Sequence, residues 1–532
     1  MVAAGFLREQ ARHQPAGREI IMAISNGIIS GSRARGFDEI DRRVLLIAGG
    51  LRVLGVREGD CVCILMRNDI AFLEVSYAIM MLGAYAVPIN WHFKPEEVDY
   101  ILKDTATRVL VGHADLLNAL REVIPDDLTL LSVPTPPEIA SAYRIDPSHH
   151  GLPPGADDLD PWMRQQKPYD GPKLPQPQSM IYTSGTTGRP KGVRRDAPTL
   201  AQAAAAEAMR ARVYGLKPGV RAMLPGPLYH SAPNVFALRA GRLGGALFLM
   251  PRFDAEELLQ LVQAEAIDTI FMVPTMFVRL LKLPAAIRER YDVSSLRHIV
   301  HAAAPCPPDV KQAMMKWWGP VIHEYYGSTE SGAVTYAAPE DALRKPGTVG
   351  SILDGAMLRI LDDAGNILPR GTIGEIYSRS TGSPDFSYHN KPDKRIEIER
   401  DGFITSGDVG YIDDDGYVFI SDRKRDMVIS GGVNIYPAEV EAALHALPGV
   451  HDCAVFGIPD DDLGEALMAV IEPQAGMTID VDAIRAQLRT ALADYKVPRR
   501  IEVRSELPRE DSGKIFKRHL RDPYWEKSNR RI

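Results

Sequence analysis

The chain has 532 residues, 45% hydrophobic and 25% charged, which is the balance of a soluble globular protein long enough for several domains. A net charge of −7 argues against a nucleic-acid binder, and no stretch of about twenty apolar residues is present to span a bilayer. Residues 1–20 lack the apolar run of a secretory signal, and Cys61, Cys63, Cys306 and Cys453 make neither a disulfide framework nor a zinc spacing, so a cytoplasmic location is expected.

The first predicted elements are a strand at CVCILM (61–66), a helix over 70–82 and a strand at AYAVPIN (84–90). Cys61 and Cys63 lie two apart on that strand and share one face. The alternation recurs over 109–131, and the Pro-, Gly- and Asp-rich stretch 134–178 reads as a long surface connection. SMIYT (179–183) is a strand, followed by a Gly/Thr loop and an Ala-rich helix over 200–212. DTIFMVPT (268–275) and RHIVHAAAP (297–305) read as buried strands ending in loops, where open α/β sheets place their ligands. Beyond about residue 350 short strands alternate with turns. A charged cluster, SDRKRDM (421–427), precedes a last strand–helix pattern with Val481, Ile484, Leu488 and Leu492 at helical spacing. The expected fold class is therefore α/β. A large N-terminal domain (1–422) of α/β layers includes a small β-rich subdomain (about 350–422). A small α+β C-terminal domain (423–532) follows.

The loop YTSGTTGRPKGVRR (182–195) carries the chemistry. Between Thr183 and Gly192 it holds three glycines, four hydroxyl residues and Lys191, the composition of a polyphosphate cradle. It is not a Walker A loop, because Lys191 follows Arg189-Pro190 and precedes Gly192. The run resembles the phosphate loop of the adenylate-forming superfamily, which joins acyl- and aryl-CoA synthetases, adenylation domains and luciferases. Further segments match that superfamily in order along nearly the whole chain.

The resemblance implies a role for each matching position. Thr183, Ser184, Gly185, Thr186, Thr187, Gly188 and Lys191 would hold the ATP phosphates. His230 in LYHSAPN would lie beside the acyl carboxylate. In HAAAPCP, Ala302, Ala303, Ala304 and Pro305 would form a loop against the acid and the adenine. Alanine replaces the glycine common there, which restricts positive φ. In YYGSTE, Tyr326 would stack on adenine beside Gly327 and Ser328, Thr329 would contact phosphate, and Glu330 would hold Mg²⁺. Asp408 would take the ribose hydroxyls and Arg423 the ribose or phosphate. Asp413, Asp414 and Asp415 read as a hairpin turn rather than a calcium loop, since no closing Glu follows. Arg425 would be the hinge of a mobile C-terminal domain, Gly431 and Gly432 would line the path of CoA, and Lys514 would contact the carboxylate and α-phosphate during adenylation.

The activity implied is that of an AMP-forming acyl-CoA synthetase using ATP, Mg²⁺ and CoA. An acid is adenylated with loss of pyrophosphate, then passed to the CoA thiol. His230, Asn234, Val235, Met272, Ala302, Ala303 and Ser328 would line the acyl pocket, and they are mostly apolar or small. No Lys or Arg is placed among them for a second carboxylate, so a monocarboxylic acid is expected. The general pattern leans toward a medium- or long-chain fatty or bulky apolar acid. An aryl-CoA ligase for a benzoate- or cinnamate-like acid and an enzyme loading a carrier protein are the alternatives. A homodimer stays open.

Overall fold

The computed structural model describes residues 26–183, 189–382, 384–424, 426–430, 433–460, 463–509 and 515–526. The chain divides into two compact units. One comprises Met1–Ala304, Gln312–Ala333 and Ser380–Glu397; the other comprises Pro305–Lys311, Val334–Arg379 and Ile398–Ile532. Among the described residues no helix is long and apolar enough to cross a membrane.

The first unit contains a five-stranded sheet in the order Tyr85–Pro88, Cys61–Leu65, Val109–His113, Thr129–Val133, Ala156–Asp158, parallel throughout. Strands buried on both faces need apolar residues in succession, as CVCIL and VLVGH provide. The helix Ile70–Met81 is mostly apolar and buried from Ile70 to Ile79, as predicted; its buried Glu74 pairs with Arg35 and Arg43. Cys61 and Cys63 join Leu65, Tyr85 and Val87 in one core. Burial pushes their thiols up, to about 11 and about 12.

Residues 134–178 are more ordered than their composition suggests. They contain the helices Pro137–Tyr143 and Leu159–Arg164 and the edge strand Ala156–Asp158. Pro137 opens the first helix, Asp158 caps the second by accepting from Asp160 N at 3.0 Å, and Ile139, Leu159 and Met163 are buried. These apolar anchors give a Pro/Gly-rich stretch enough burial to order it.

A second run of parallel strands orders Gly27–Ser30, Ala246–Leu249, Arg221–Leu224, Thr269–Met272, His298–His301 and Ile322–Ser328. Met272, His301 and the stretch through Ser328 stand at the C-terminal ends of these strands. A small antiparallel sheet joins Ile181–Thr183, Lys191–Arg195 and Phe386–Tyr388.

In the second unit Thr348–Ile352, Tyr417–Arg423, Phe403–Ile412 and Gly374–Ser380 pair antiparallel in sequence-distant order. The Asp413–Asp415 stretch is a hairpin turn, as expected: Asp413 Oδ1 accepts from Tyr417 N at 2.8 Å, and Lys345 bonds to both Asp413 and Asp415. A further sheet contains Val428–Ser430, Gly464–Pro473, Val450–Asp460 and Arg500–Val503. The helix Val481–Ala491 buries Ile484 and Leu488 against Val440, Leu444 and Val455, which bears out the helical spacing.

Candidate active site

Thr183 and Lys191 are register partners on an antiparallel pair, so the two ends of the Gly/Thr loop meet. Ser184, Gly185, Thr186, Thr187 and Gly188 lie outside the described residues. Lys191 Nζ sits over the Tyr388 ring, 4.9 Å from its centroid. Burial pushes the Lys191 pKa down, Glu397 and Glu330 oppose that shift, and Lys394 adds to it.

Tyr326, Gly327 and Ser328 end the strand Ile322–Ser328 and are half-buried, as are Thr329 and Glu330 in the turn that follows. That turn is tightly specified. Ser328 and Ser331 exchange side-chain and backbone hydrogen bonds of 2.9–3.1 Å. At Gly327 a Cβ would lie 1.9 Å from Gly332 O, so only glycine lets the two backbones approach. The Arg195 guanidinium donates to Thr329 O at 3.2 Å, to Glu330 O and to Pro384 O at 2.6 Å. Tyr388 Oη donates to Glu330 Oε1 at 2.9 Å.

Arg195 and Tyr388 were absent from the sequence candidates. Arg195 closes the loop motif itself, and Tyr388 lies in FSYHN, whose aromatic alternation is the one local hint. The pairing of Phe386 with Arg195 and of Tyr388 with Val193 places Lys191, Arg195, Phe386 and Tyr388 on one sheet face. Glu330 offers the hard oxygen donor that Mg²⁺ prefers.

His230 caps the helix Ser231–Ala240, its carbonyl accepts from Asn234 N at 3.0 Å, and its ring lies 4.5 Å from that of Tyr229. Asn234 is buried and its Nδ2 donates to Leu228 O at 3.0 Å, so the amide fixes the turn before His230. Asn68 secures the same turn from another strand end: its Oδ1 accepts from Leu228 N at 2.9 Å and its Nδ2 donates to Gly226 O at 2.8 Å. Val235 is half-buried; Met272 and Ala302 are buried; Ala303 and Ala304 are exposed. Ala303 adopts φ +74°, the left-handed conformation that its Cβ disfavours.

Beside this helix an aromatic cluster forms. Tyr214 packs edge-on to Phe236 at 6.2 Å and to Tyr325 at 5.5 Å between centroids, and its hydroxyl lies 3.4 Å from that of Tyr325. Phe271 lies 5.9 Å from Phe236. His298 stacks on His323 at 3.8 Å, its Nε2 2.9 Å from Val213 O.

The second unit holds Pro305, which is exposed, and a compact pair made by Asp408 and Arg423. These two are register partners on a hairpin, with Arg423 Nε 3.2 Å from Asp408 Oδ1 and Ser406 Oγ donating to Asp408 Oδ2 at 2.7 Å. Arg425, Gly431, Gly432 and Lys514 lie outside the described residues. The segment before Lys514 is anchored by Arg509, which pairs with Asp452 and with Glu472 at 2.9 Å. The segment after it is anchored by Lys517, which pairs with Glu441 at 2.7 Å.

Residues 7–383 match the AMP-binding enzyme family, and residues 439–514 match the AMP-binding enzyme C-terminal domain. The chain belongs to the AMP-binding enzymes. This AMP-binding enzyme is 35% identical to a feruloyl-CoA synthase of Amycolatopsis over 514 residues, covering 95% of this chain and 97% of that one. It is 31% identical to a long-chain-fatty-acid–CoA ligase of Mycobacterium tuberculosis over 485 residues, covering 89% and 90%. Its fold matches that of an anthranilate CoA ligase solved with anthranoyl-AMP, with TM-score 0.81, 26% identity and 96% of each chain covered. The protein is accordingly an AMP-forming acid–thiol ligase of the α/β adenylate-forming fold, with a large N-terminal and a small C-terminal domain.

Proposed function

We propose that the protein makes the CoA thioester of an aromatic monocarboxylic acid in two half-reactions. The acid's carboxylate oxygen attacks the α-phosphate of ATP, and pyrophosphate leaves. The CoA sulfur then attacks the acyl-adenylate carbonyl, and AMP leaves. In the first step an anion must approach a polyanion, so the site's task is to supply positive charge and fixed donors. Lys191 and the Gly/Thr loop would take the phosphates, Thr329 would bond to the phosphate, and Lys514 would bridge carboxylate and α-phosphate. Bound at Glu330, Mg²⁺ would offset phosphate charge and polarise the α-phosphate. Asp408 and Arg423 would hold the ribose, and Tyr326 the adenine. Gly431 and Gly432 would admit the pantetheine arm, and Arg425 would be the hinge at the start of the C-terminal domain 423–532.

The observation that carries the choice of acid is the 35% identity, over 95% of this chain, to a feruloyl-CoA synthase. Tyr214, Phe236, Phe271 and Tyr325 are buried against one another and pack as core. A fatty acid is the second reading, favoured by the 31% identity to a long-chain-fatty-acid–CoA ligase.

The test is AMP release from Mg-ATP across cinnamate-, benzoate- and fatty-acid panels, each with and without CoA. Release that needs CoA and runs at least ten-fold faster with an aromatic acid is expected. A fatty acid turned over as fast or faster would establish the second reading. An acid that supports pyrophosphate exchange but gives no CoA-stimulated AMP release would point to a carrier-protein acceptor.

A further inference from the structure

Glu330 is held from two directions. Arg195 fixes its backbone carbonyl, while Tyr388 Oη donates to Oε1 at 2.9 Å. Tyr388 carries a second load, since Lys191 Nζ lies over its ring at 4.9 Å from the centroid. The edge of one side chain thus meets the carboxylate and its face meets the ammonium. Both arrangements follow from the three-stranded sheet, in which Tyr388 pairs with Val193, two residues from Lys191 on the same face.

We propose that Tyr388 is a positioning residue that aims Glu330 at the divalent cation accompanying ATP and steadies Lys191 for the phosphates; this rests on the reading of Glu330 as the metal-binding carboxylate. A carboxylate presents two oxygens and about four lone-pair directions. With Oε1 held by the phenol, the carboxylate is biased to one orientation that leaves Oε2 for a cation, as outer hydrogen bonds orient metal-binding groups elsewhere. A neutral donor suits that task. An Arg or Lys in its place would offset the negative charge that attracts the metal, whereas a phenol orients the carboxylate and leaves the charge intact. The hydroxyl is the donor in the 2.9 Å contact, since an ionised carboxylate only accepts. The ring face meanwhile attracts the Lys191 ammonium through its π density without consuming a hydrogen bond that a phosphate oxygen needs.

The two arms separate experimentally. ATP binding is followed by calorimetry in EDTA and across a Mg²⁺ titration for the wild type, Tyr388→Phe, Tyr388→Leu and Glu330→Gln. Tyr388→Phe keeps the ring, so its affinity in EDTA should match the wild type, while the Mg²⁺ needed for half-maximal tightening should rise roughly ten-fold, the scale of one hydrogen bond to a charged group. Tyr388→Leu should show that shift and also bind ATP more weakly in EDTA. A Tyr388→Phe titration that overlays the wild type while Glu330→Gln is shifted would overturn the positioning role and leave Glu330 as the metal residue. If neither variant shifts, the assignment of Glu330 itself falls and this proposal with it. Equal ATP affinity of the Phe and Leu variants in EDTA would remove the Lys191 arm. Thermal unfolding of each variant reports whether the packing of Tyr388 survives.

Discussion

At residue scale the site is governed by charges held under partial burial. In its proposed role Lys191 must be protonated to attract a triphosphate, yet burial lowers its pKa below the ordinary 10.5. The sign for binding is plain: affinity for ATP is full on the acid side and falls as pH rises through the lowered pKa, earlier than for an ordinary lysine. The sign for folding is opposite. Between the lowered pKa and the unfolded one the unfolded chain binds more protons, so this group's contribution to stability rises with pH across that window. We expect the KM for ATP in pyrophosphate exchange to climb on the alkaline side below pH 10.5. Lys191→Arg, whose guanidinium stays charged, should move that limb to higher pH. A limb unmoved by the substitution would assign the titration to another group. Ala303 shows a residue-scale tension of another kind. Alanine restricts positive φ, yet the backbone adopts +74° there, a conformation that costs about 1–2 kcal/mol.

At the scale of elements, the turn carrying Thr329 and Glu330 depends on Gly327. A methyl group there would lie 1.9 Å from Gly332 O, a backbone atom that cannot swing aside. Gly327→Ala should therefore destabilise the protein by about 2–3 kcal/mol and lower adenylation far more than a distant variant of equal stability. Paired thermal-melting and exchange measurements check this, and a variant that melts early but adenylates normally would detach the turn from the chemistry. Much of this scale was legible in the sequence. The strands Cys61–Leu65 and Thr269–Met272 announce themselves as apolar runs, and the helix Val481–Ala491 by its spacing, because burial on a fixed side imposes a period. The helices Pro137–Tyr143 and Leu159–Arg164 were not legible, since so few turns give no period and their caps look like loop residues. Tyr388 was hidden for a different reason. Its meaning depends on pairing with Val193, a contact between distant segments that no local pattern encodes. Lys191, Thr329 and Glu330 were singled out by the resemblance of their segments to the adenylate-forming superfamily, and the structure holds all three in one unit.

At the scale of the whole molecule, one chain must serve two reactions with different needs. Adenylation calls for a cation between carboxylate and α-phosphate, whereas thioester formation calls for space at the carbonyl. We expect Lys514→Ala to lower adenylation roughly a thousand-fold while converting supplied acyl-adenylate to thioester at a near-normal rate. Arg425→Pro should show the converse split, with adenylation retained and thioester formation lost. Equal loss of both half-reactions in either variant would refute that division of labour. The two reactions also expose the protein to its own product, because an acyl-adenylate acylates any thiolate it meets. Cys61, Cys63, Cys306 and Cys453 are all buried, and burial raises the first two thiols to about 11 and about 12 and Cys453 well above its ordinary value. Packing that serves the core thus also gives chemical immunity. Near neutral pH these three sulfurs are protonated and enclosed, and CoA meets no competitor among them for the activated acyl group.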